Sequence, residues 1–144
     1  MRRIPRRSAS RDTPVYQTRT RDILVRVVAS YAPEQSDPEL GEYLWVYTVE
    51  IENHGKQTIQ LMSRRWIITD ALNRAEEEIG EGVAGEQPEL KPGEAFRYSQ
   101  TATLSTPSGS MRGEYQMVTD EGEEFEAAIP EFSLHLPGAG RVVN

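Results

Sequence analysis

Three glycines in one short segment have the spacing that dinucleotide-binding loops use for pyrophosphate. Gly80, Gly82 and Gly85 form a Gly-x-Gly-x-x-Gly pattern within the segment GEGVAGEQPELKPGE. Such a loop binds phosphate where a helix begins, because the helix N-terminus offers unpaired backbone amides and the positive end of its dipole. The spacing therefore raises the hypothesis of a small-ligand, phosphate or nucleotide site.

The surroundings of this loop argue against that chemistry. Pro88 follows three residues after Gly85, and Pro92 and Gly93 come next, so no helix can begin where the phosphate would need one. Residues 76–94 also contain seven glutamates against a single lysine, and these carboxylates repel an anion. We therefore expect a structural glycine loop, with positive φ or close packing against a strand. A phosphate-binding loop remains the alternative.

Other patterns for chemistry are weak. The two histidines, His54 and His135, lie far apart in the sequence, and the absence of cysteine excludes thiolate ligands and cysteine nucleophiles. The acidic runs at residues 76–78 and 120–124 could supply oxygens to Mg²⁺, but such runs are usually solvated faces. No Gly-x-Ser-x-Gly surrounds any serine, so Ser99, Ser105, Ser108 and Ser110 are interpreted as strand or turn residues. We predict no catalytic residues, no cofactor and no metal site.

A binding function has positive support. Arg64, Arg65 and Trp66 place guanidinium and indole groups together, and arginine and tryptophan are enriched at interaction hot spots. The alternative for Trp66 is a core position. Two proline-containing loops, Gln87-Pro88 and Thr106-Pro107, are further partner-binding candidates, since stiff loops of a sandwich commonly carry recognition.

Charge is divided unevenly along the 144 residues. Residues 1–14 have five arginines and one aspartate, a net charge of +4, while the remainder has 11 basic and 22 acidic residues, a net charge of −11. The first segment predicts a disordered basic leader, and the acidic body disfavours nucleic acid as a partner. No apolar run approaches the roughly 20 residues that span a bilayer, which with the missing cysteines predicts a cytoplasmic protein without membrane insertion.

Strand periodicity dominates residues 15–137, which we expect to form one domain followed by a flexible tail at 138–144. Residues 43–53 alternate apolar and polar, and with residues 57–62 they are interpreted as a hairpin. Further strands are predicted at 23–31, 64–70, 96–104, 111–119, 123–127 and 132–136. Residues 70–78 suit either a short helix or a turn that leads into a strand. The prediction is an all-β, immunoglobulin-like sandwich of about seven to eight antiparallel strands.

Several motifs together resemble the ApaG family over roughly residues 15–137. They are Asn53-His54-Gly55, Leu61, residues 64–70, residues 80–88, residues 90–94, the alternating pattern from Thr106 to Met117, and Ile129-Pro130-x-Phe132. The resemblance implies a fibronectin type III-like sandwich. It also implies an association with cobalt resistance and magnesium efflux, while related eukaryotic domains resemble protein-binding modules. The family offers no catalytic residue to carry over.

Two positions depart from the family's usual pattern. Gln100 stands where a glycine is usual, which argues against a flexible backbone there, and Asn73 replaces a turn glycine but tolerates the left-handed conformation. Taken together, the residues and the resemblance predict a non-catalytic protein-interaction module with only an indirect link to Co²⁺ and Mg²⁺ homeostasis. Neither the partner protein nor the oligomeric state is specified by the sequence.

Overall fold

The computed structural model describes residues 13–137; the expected leader, apart from its last two residues, and the expected tail lie outside this range. Nine strands make up most of the described chain: β1 (Tyr16–Thr20), β2 (Ile23–Tyr31), β3 (Tyr43–Asn53), β4 (Ile59–Asp70), β5 (Ala75–Glu81), β6 (Glu89–Leu90), β7 (Ala95–Leu104), β8 (Gly109–Thr119) and β9 (Glu124–Leu134). Two single-turn 3₁₀ segments, Pro33–Gln35 and Pro38–Leu40, lie between β2 and β3. No helix in residues 13–137 is long and apolar enough to cross a membrane.

The strands form two antiparallel sheets packed as a sandwich. One sheet has the order β1-β2-β3-β7, and the other has the order β5-β4-β8-β9 with the short β6 also paired to β4. The two inner faces share one hydrophobic core. This arrangement confirms the predicted all-β, fibronectin type III-like sandwich, with nine strands where about seven to eight were expected.

Period-two alternation explains which faces are buried. On β3 the side chains of Trp45, Tyr47, Val49 and Ile51 are buried while their neighbours are not, as the sequence predicts. Burying such a face contributes roughly 25 cal/mol per Å² of apolar surface, so each large side chain stabilises the sandwich by about 1.5–3 kcal/mol. The same alternation is present on β8, where Met111, Tyr115 and Met117 are all at most 2% exposed.

The predicted hairpin between residues 43–53 and 57–62 is wrong, because β3 and β4 belong to different sheets. The connection is an arch built on the buried side chain of Asn53. Its amide donates to the carbonyls of Gln57 and Leu90, at 2.8 and 2.9 Å, and its Oδ1 accepts from the N–H of Gly55 at 2.9 Å. β3 and β4 therefore face each other across the core, where Tyr47 of β3 contacts Trp66 of β4, instead of pairing side by side.

Two predicted breaks between strands are β-bulges inside longer strands. In β4 the register against β8 shifts between Leu61 and Ser63, which leaves Met62 as the extra residue and joins segments 57–62 and 64–70. In β9 the shift opposite Arg112 accommodates Pro130, a residue that suits bulges and edge strands because it lacks an N–H. For residues 70–78, the alternative of a turn leading into a strand is confirmed, with Asn73 at φ 65° in the turn.

The two lateral sides of the sandwich differ. On one side the edge strands β1 and β9 are linked: the hydroxyl of Thr20 accepts from the N–H of Ala128 at 3.0 Å, and the hydroxyls of Tyr16 and Ser133 are 3.0 Å apart. On the other side lie the edge strands β5 and β7, which form no backbone pairing with each other. That side is open.

Candidate ligand cleft between the edge strands

A cavity of about 400 Å³ opens on the side between β5 and β7 and reaches inward to β3 and β4. Its volume falls within the range of small-ligand pockets. The lining combines aromatic and aliphatic walls with a few polar groups: Tyr47, Arg64, Trp66, Ile68, Glu78, Val83, Ala84, Gly85, Tyr98, Gln100, Thr101, Ala102, Thr103 and Met111.

Trp66 forms part of the inner wall of this cleft. It is 2% exposed and meets Tyr47 and Phe132 in edge-to-face contacts, with ring centroids 5.4 and 6.0 Å apart. Such contacts add to the stabilisation that burial of the rings provides. Trp66 is therefore a core residue, and it also presents part of its surface to the cleft.

The bulge at Met62 determines which way Arg64 points. Before the bulge the odd-numbered Ile59 and Leu61 are buried, whereas beyond it Trp66 is the buried residue, so the inward face of β4 has changed from odd to even numbers. Arg64 shares the parity of Trp66 and reaches the cleft, while Arg65 has the opposite parity. One inserted residue thus converts a surface arginine position into a cleft position.

Arg64 is already engaged by the protein. Its Nε and Nη2 donate to the two carboxylate oxygens of Glu78, at 3.2 and 2.6 Å, and its Nη1 donates to the carbonyls of Glu81 and Gly82, at 3.2 and 2.9 Å. These four hydrogen bonds use most of the five N–H donors of a guanidinium. The hydrogen bond to Glu78 raises the pKa of Arg64, so the pair is fixed as an internally neutral unit.

Arg65 lies on the outer face of the sheet. Its guanidinium contacts the carboxylates of Glu77, at 2.5 Å, and Glu114, at 3.1 Å. These hydrogen bonds, with Glu77 contributing most, raise the pKa of Arg65. Of the three adjacent candidates from the sequence, Arg64 and Trp66 line the cleft and Arg65 does not.

The glycine loop forms the upper rim of the cleft, and no helix follows it. Val83 and Glu86 pair through both N–H groups, at 2.8 and 2.9 Å, around a turn in which Ala84 and Gly85 have φ of 50° and 80°. Positive φ at both central positions is the requirement of a type I′ turn. With the N–H of Gly82 bonded to a carbonyl as well, at 2.9 Å, three amides of the loop are used within the chain.

Close packing explains two of the loop's glycines. A Cβ on Gly80 would lie 2.6 Å from Nη2 of Arg64, and a Cβ on Gly82 would lie 2.2 Å from the carbonyl oxygen of Glu86. Gly80 therefore permits the Arg64 guanidinium to lie against the backbone of β5, and Gly82 has φ of 65° as well.

Two buried tyrosines, Tyr47 and Tyr98, line the cleft, and a third, Tyr115, lies behind Tyr98 in the core. The hydroxyls of Tyr98 and Tyr115 are 2.6 Å apart and bond each other, and burial raises the pKa of both phenols. Tyr47 is 6% exposed, and burial, with a smaller contribution from the Glu78 carboxylate, raises its pKa to about 12. Within residues 13–137 no hydrogen bond to the Tyr47 hydroxyl is formed.

The remaining candidates from the sequence lie outside the cleft. Gln87 donates from its side chain to the carbonyl of Met62 at 2.9 Å, and the carbonyl of Pro88 accepts from the N–H of Leu61 at 3.0 Å. Thr106 is buried at the end of the sandwich, where its hydroxyl bonds the N–H of Ala71 at 3.0 Å, while the adjacent Pro107 is exposed. Gln87 and Thr106 thus form hydrogen bonds within the chain, and partner binding at their two loops stays a prediction.

Metal-ligating side chains are dispersed. His54 is 2.7 Å from a carboxylate oxygen of Glu52, but no group of three or more His, Asp or Glu residues within the described range is placed to hold a metal ion. His135 lies 3.1 Å from the hydroxyl of Ser133 in the network that links β9 to β1.

The sequence did not identify Tyr47, Glu78, Tyr98 or Gln100 as candidate site residues, although all four line the cleft. A usable signal was present, because Tyr47 and Tyr98 fall on buried parities of β3 and β7 and a buried phenol needs a hydrogen-bond partner. Gln100 is exposed on the edge strand β7 and also lines the cleft.

Comparisons with known proteins agree with this architecture. The chain is 63% identical to Protein ApaG of Caulobacter vibrioides over 139 residues, which cover 96% of this chain and 99% of that protein. It is 52% identical to Protein ApaG of Beijerinckia indica over 130 residues, 90% of this chain and all of that protein. The crystal structure of the putative ApaA protein from Bordetella pertussis superposes with a TM-score of 0.77 at 46% identity, covering 86% and 98% of the two chains.

The two antiparallel sheets are linked on the side of β1 and β9 and are separated by the cleft on the side of β5 and β7. They define a small fibronectin type III-like β-sandwich. The family model described as the ApaG domain matches residues 33–119, which include β3 to β8 and every residue that lines the cleft. The chain belongs to the ApaG family.

Proposed function

We propose that this protein is a non-catalytic interaction module that binds an extended segment of a partner protein along the free edge of β7. One observation carries the proposal: β7 is a ten-residue edge strand that borders the cleft, and it has no charged residue, proline or glycine from Tyr98 to Leu104. A long unprotected edge presents unpaired N–H and C=O groups that an added strand can satisfy.

The other edges are less suited to accept a strand. Side-chain hydrogen bonds link β1 to β9, and β5 carries a row of glutamates at 76, 77, 78 and 81. Charged edge residues of this kind oppose strand addition. Within the described residues, Glu76 and Glu81 form no ion pair, so this acidic row favours a partner segment that carries basic residues near the cleft.

The proposed role needs neither a nucleophile nor a bound metal ion, and no group of three or more His, Asp or Glu residues within residues 13–137 is placed to hold one. An association with Co²⁺ and Mg²⁺ homeostasis, expected from the family resemblance, would then be indirect and pass through the partner protein. We place this function in the cytoplasm. The phosphate-binding alternative has less support, because Arg64 and three loop amides already bond within the chain.

Site-specific photocrosslinking tests the proposal. A benzophenone amino acid at Thr101 on β7, introduced in the source cell, should crosslink one partner, whereas the same group at Glu126, exposed on β9, should not. Proline variants of two successive β7 residues, Gln100→Pro and Thr101→Pro, provide the control, and for this comparison the benzophenone amino acid is moved to Thr103, which is also exposed on β7. Adjacent residues of a strand direct their N–H groups to opposite sides, so one variant breaks the bond to β3 and the other removes a free N–H.

The variant that retains wild-type stability should lose the crosslinked partner. Crosslinking from Glu126 but not from Thr101 would refute binding along β7. So would unchanged partner crosslinking in both Gln100→Pro and Thr101→Pro.

A further inference from the structure

Among the described residues, the cleft has one buried side-chain hydroxyl without a hydrogen-bond partner. It belongs to Tyr47, a residue that is 6% exposed and lines the cavity, and it forms no hydrogen bond within residues 13–137. The neighbouring phenols of Tyr98 and Tyr115 bond each other instead. A buried hydroxyl in this position has an unused donor and acceptor that a bound molecule could satisfy.

The charges at the cleft exclude ions as preferred occupants. Arg64 and Glu78 neutralise each other through a bidentate pair, and Arg64 is held further by two backbone carbonyls. A bound carboxylate or phosphate would have to displace Glu78, and a bound ammonium would have to displace Arg64. Either displacement would give up a bidentate charge-assisted pair, whose side chains are 26% and 47% exposed, so a neutral occupant that leaves the pair intact is favoured.

Part of the cleft wall is apolar. Trp66, Ile68, Ala102 and Met111 give the interior an aromatic, aliphatic and thioether surface, which accommodates the face and edge of an aromatic ring. The mouth is bordered by β7, so a strand added to its free edge would direct every second side chain toward the cleft.

We propose that this cleft is the specificity pocket for one uncharged aromatic side chain of the partner segment, a tyrosine or tryptophan whose O–H or N–H bonds the Tyr47 hydroxyl. The inference rests on the proposed function and adds the chemistry that the module recognises. The ring supplies the buried apolar area, and the hydrogen bond to Tyr47 distinguishes phenol and indole from phenylalanine.

Small probes test the pocket without the partner. ¹³C-methyl NMR of Met111 should report binding of p-cresol and 3-methylindole, weaker binding of toluene, and no binding of p-toluate or inorganic phosphate. In Tyr47→Phe, p-cresol affinity should fall about fivefold to tenfold while toluene affinity stays within twofold. Tyr31→Phe removes the hydroxyl of a ring that packs on Trp45 away from the cleft, and it should leave both affinities unchanged.

A second variant keeps the test decisive if Tyr47→Phe alters the fold. Ala102→Leu adds atoms to the cavity and should abolish p-cresol binding. The NMR signals of residues outside the cleft should stay those of the folded protein. Equal losses of p-cresol and toluene in Tyr47→Phe, or p-toluate binding as tight as p-cresol binding, would overturn the inference. Crosslinking to a partner from Thr101 without p-cresol binding refutes the pocket alone, whereas p-cresol binding without crosslinking along β7 refutes the proposed function.

Discussion

The hydroxyl pair of Tyr98 and Tyr115 allows a quantitative test of how polar groups are satisfied at the inner end of the cleft. The two oxygens are 2.6 Å apart, and Tyr115 is fully buried while Tyr98 is 7% exposed and lines the cavity. Replacing either tyrosine by phenylalanine removes one bond and leaves the other hydroxyl without its partner. An orphaned buried polar group costs about 1–3 kcal/mol, and the bond itself contributes about 1 kcal/mol.

The two single variants should differ in cost because the remaining hydroxyls differ in surroundings. In Tyr115→Phe, the Tyr98 hydroxyl borders a cavity with room for water, so we expect a loss of about 1 kcal/mol. In Tyr98→Phe, the remaining hydroxyl of Tyr115 is enclosed, and the expected loss is about 2–3 kcal/mol. The double variant removes both polar groups and should lose only about 1 kcal/mol, which leaves a coupling of about 2 kcal/mol.

Urea unfolding followed by circular dichroism measures these differences. With a slope of about 2 kcal/mol per molar urea, a loss of 2 kcal/mol lowers the midpoint by about 1 M. Tyr47→Phe is the matched control, since its hydroxyl has no partner in residues 13–137, and its midpoint should stay unchanged or rise. A double variant that loses the sum of the two single losses would refute the reasoning, because additivity means that the hydroxyls do not depend on each other.

Four further outcomes follow from local geometry. Ala84→Gly relieves a non-glycine residue at φ 50° and should raise the free energy of unfolding by about 1 kcal/mol in the same urea assay. Gly82→Ala places a Cβ 2.2 Å from the carbonyl oxygen of Glu86 and should lower that free energy by more than about 2 kcal/mol; a neutral result would contradict the turn geometry. Hydrogen bonds, chiefly from a backbone N–H, hold the pKa of Asp70 below its usual 3.8, so stability should fall as pH drops from about 4 through the folded pKa, and Asp70→Asn should weaken that dependence in pH-dependent thermal melts. The pKa of Tyr47 is raised to about 12, so between pH 10 and 12 this phenol is protonated in the folded chain and ionised in the unfolded chain. The free energy of unfolding should therefore fall across this pH range. In a spectroscopic titration at 295 nm, Tyr47→Phe should lack only the part of the absorbance change that occurs near pH 12.

The sequence predicts the sandwich well because alternation directly encodes burial. Trp45, Tyr47 and Val49 on β3 and Met111 and Met117 on β8 are inward-facing as their spacing indicates. What alternation does not encode is which strands become neighbours. Residues 43–53 and 57–62 have the pattern of a hairpin, yet the side-chain hydrogen bonds of one buried asparagine turn their connection into an arch between the sheets.

The cleft itself was beyond sequence reasoning for a related reason. Its formation depends on the single inserted residue Met62, which changes the inward parity of β4 and brings Arg64 beside Glu78 of β5. No residue pattern in the sequence predicts the bulge at Met62 or the absence of pairing between β5 and β7. The pattern at Gly80, Gly82 and Gly85 is visible in the sequence, but two of the three glycines are explained by contacts with Arg64 and Glu86 that only the folded chain shows.

The same glycine pattern links the loop to the cleft instead of to phosphate. Gly80 lets the Arg64 guanidinium lie against β5, and from there Arg64 bonds the carbonyls of Glu81 and Gly82 and the carboxylate of Glu78. The arginine that a phosphate would need is thereby used to hold the rim and to neutralise Glu78, the one carboxylate among the described residues that line the cavity. A cleft neutralised in this way, with the Tyr47 hydroxyl unpaired within residues 13–137, suits the proposed recognition of an uncharged ring through a single hydrogen bond.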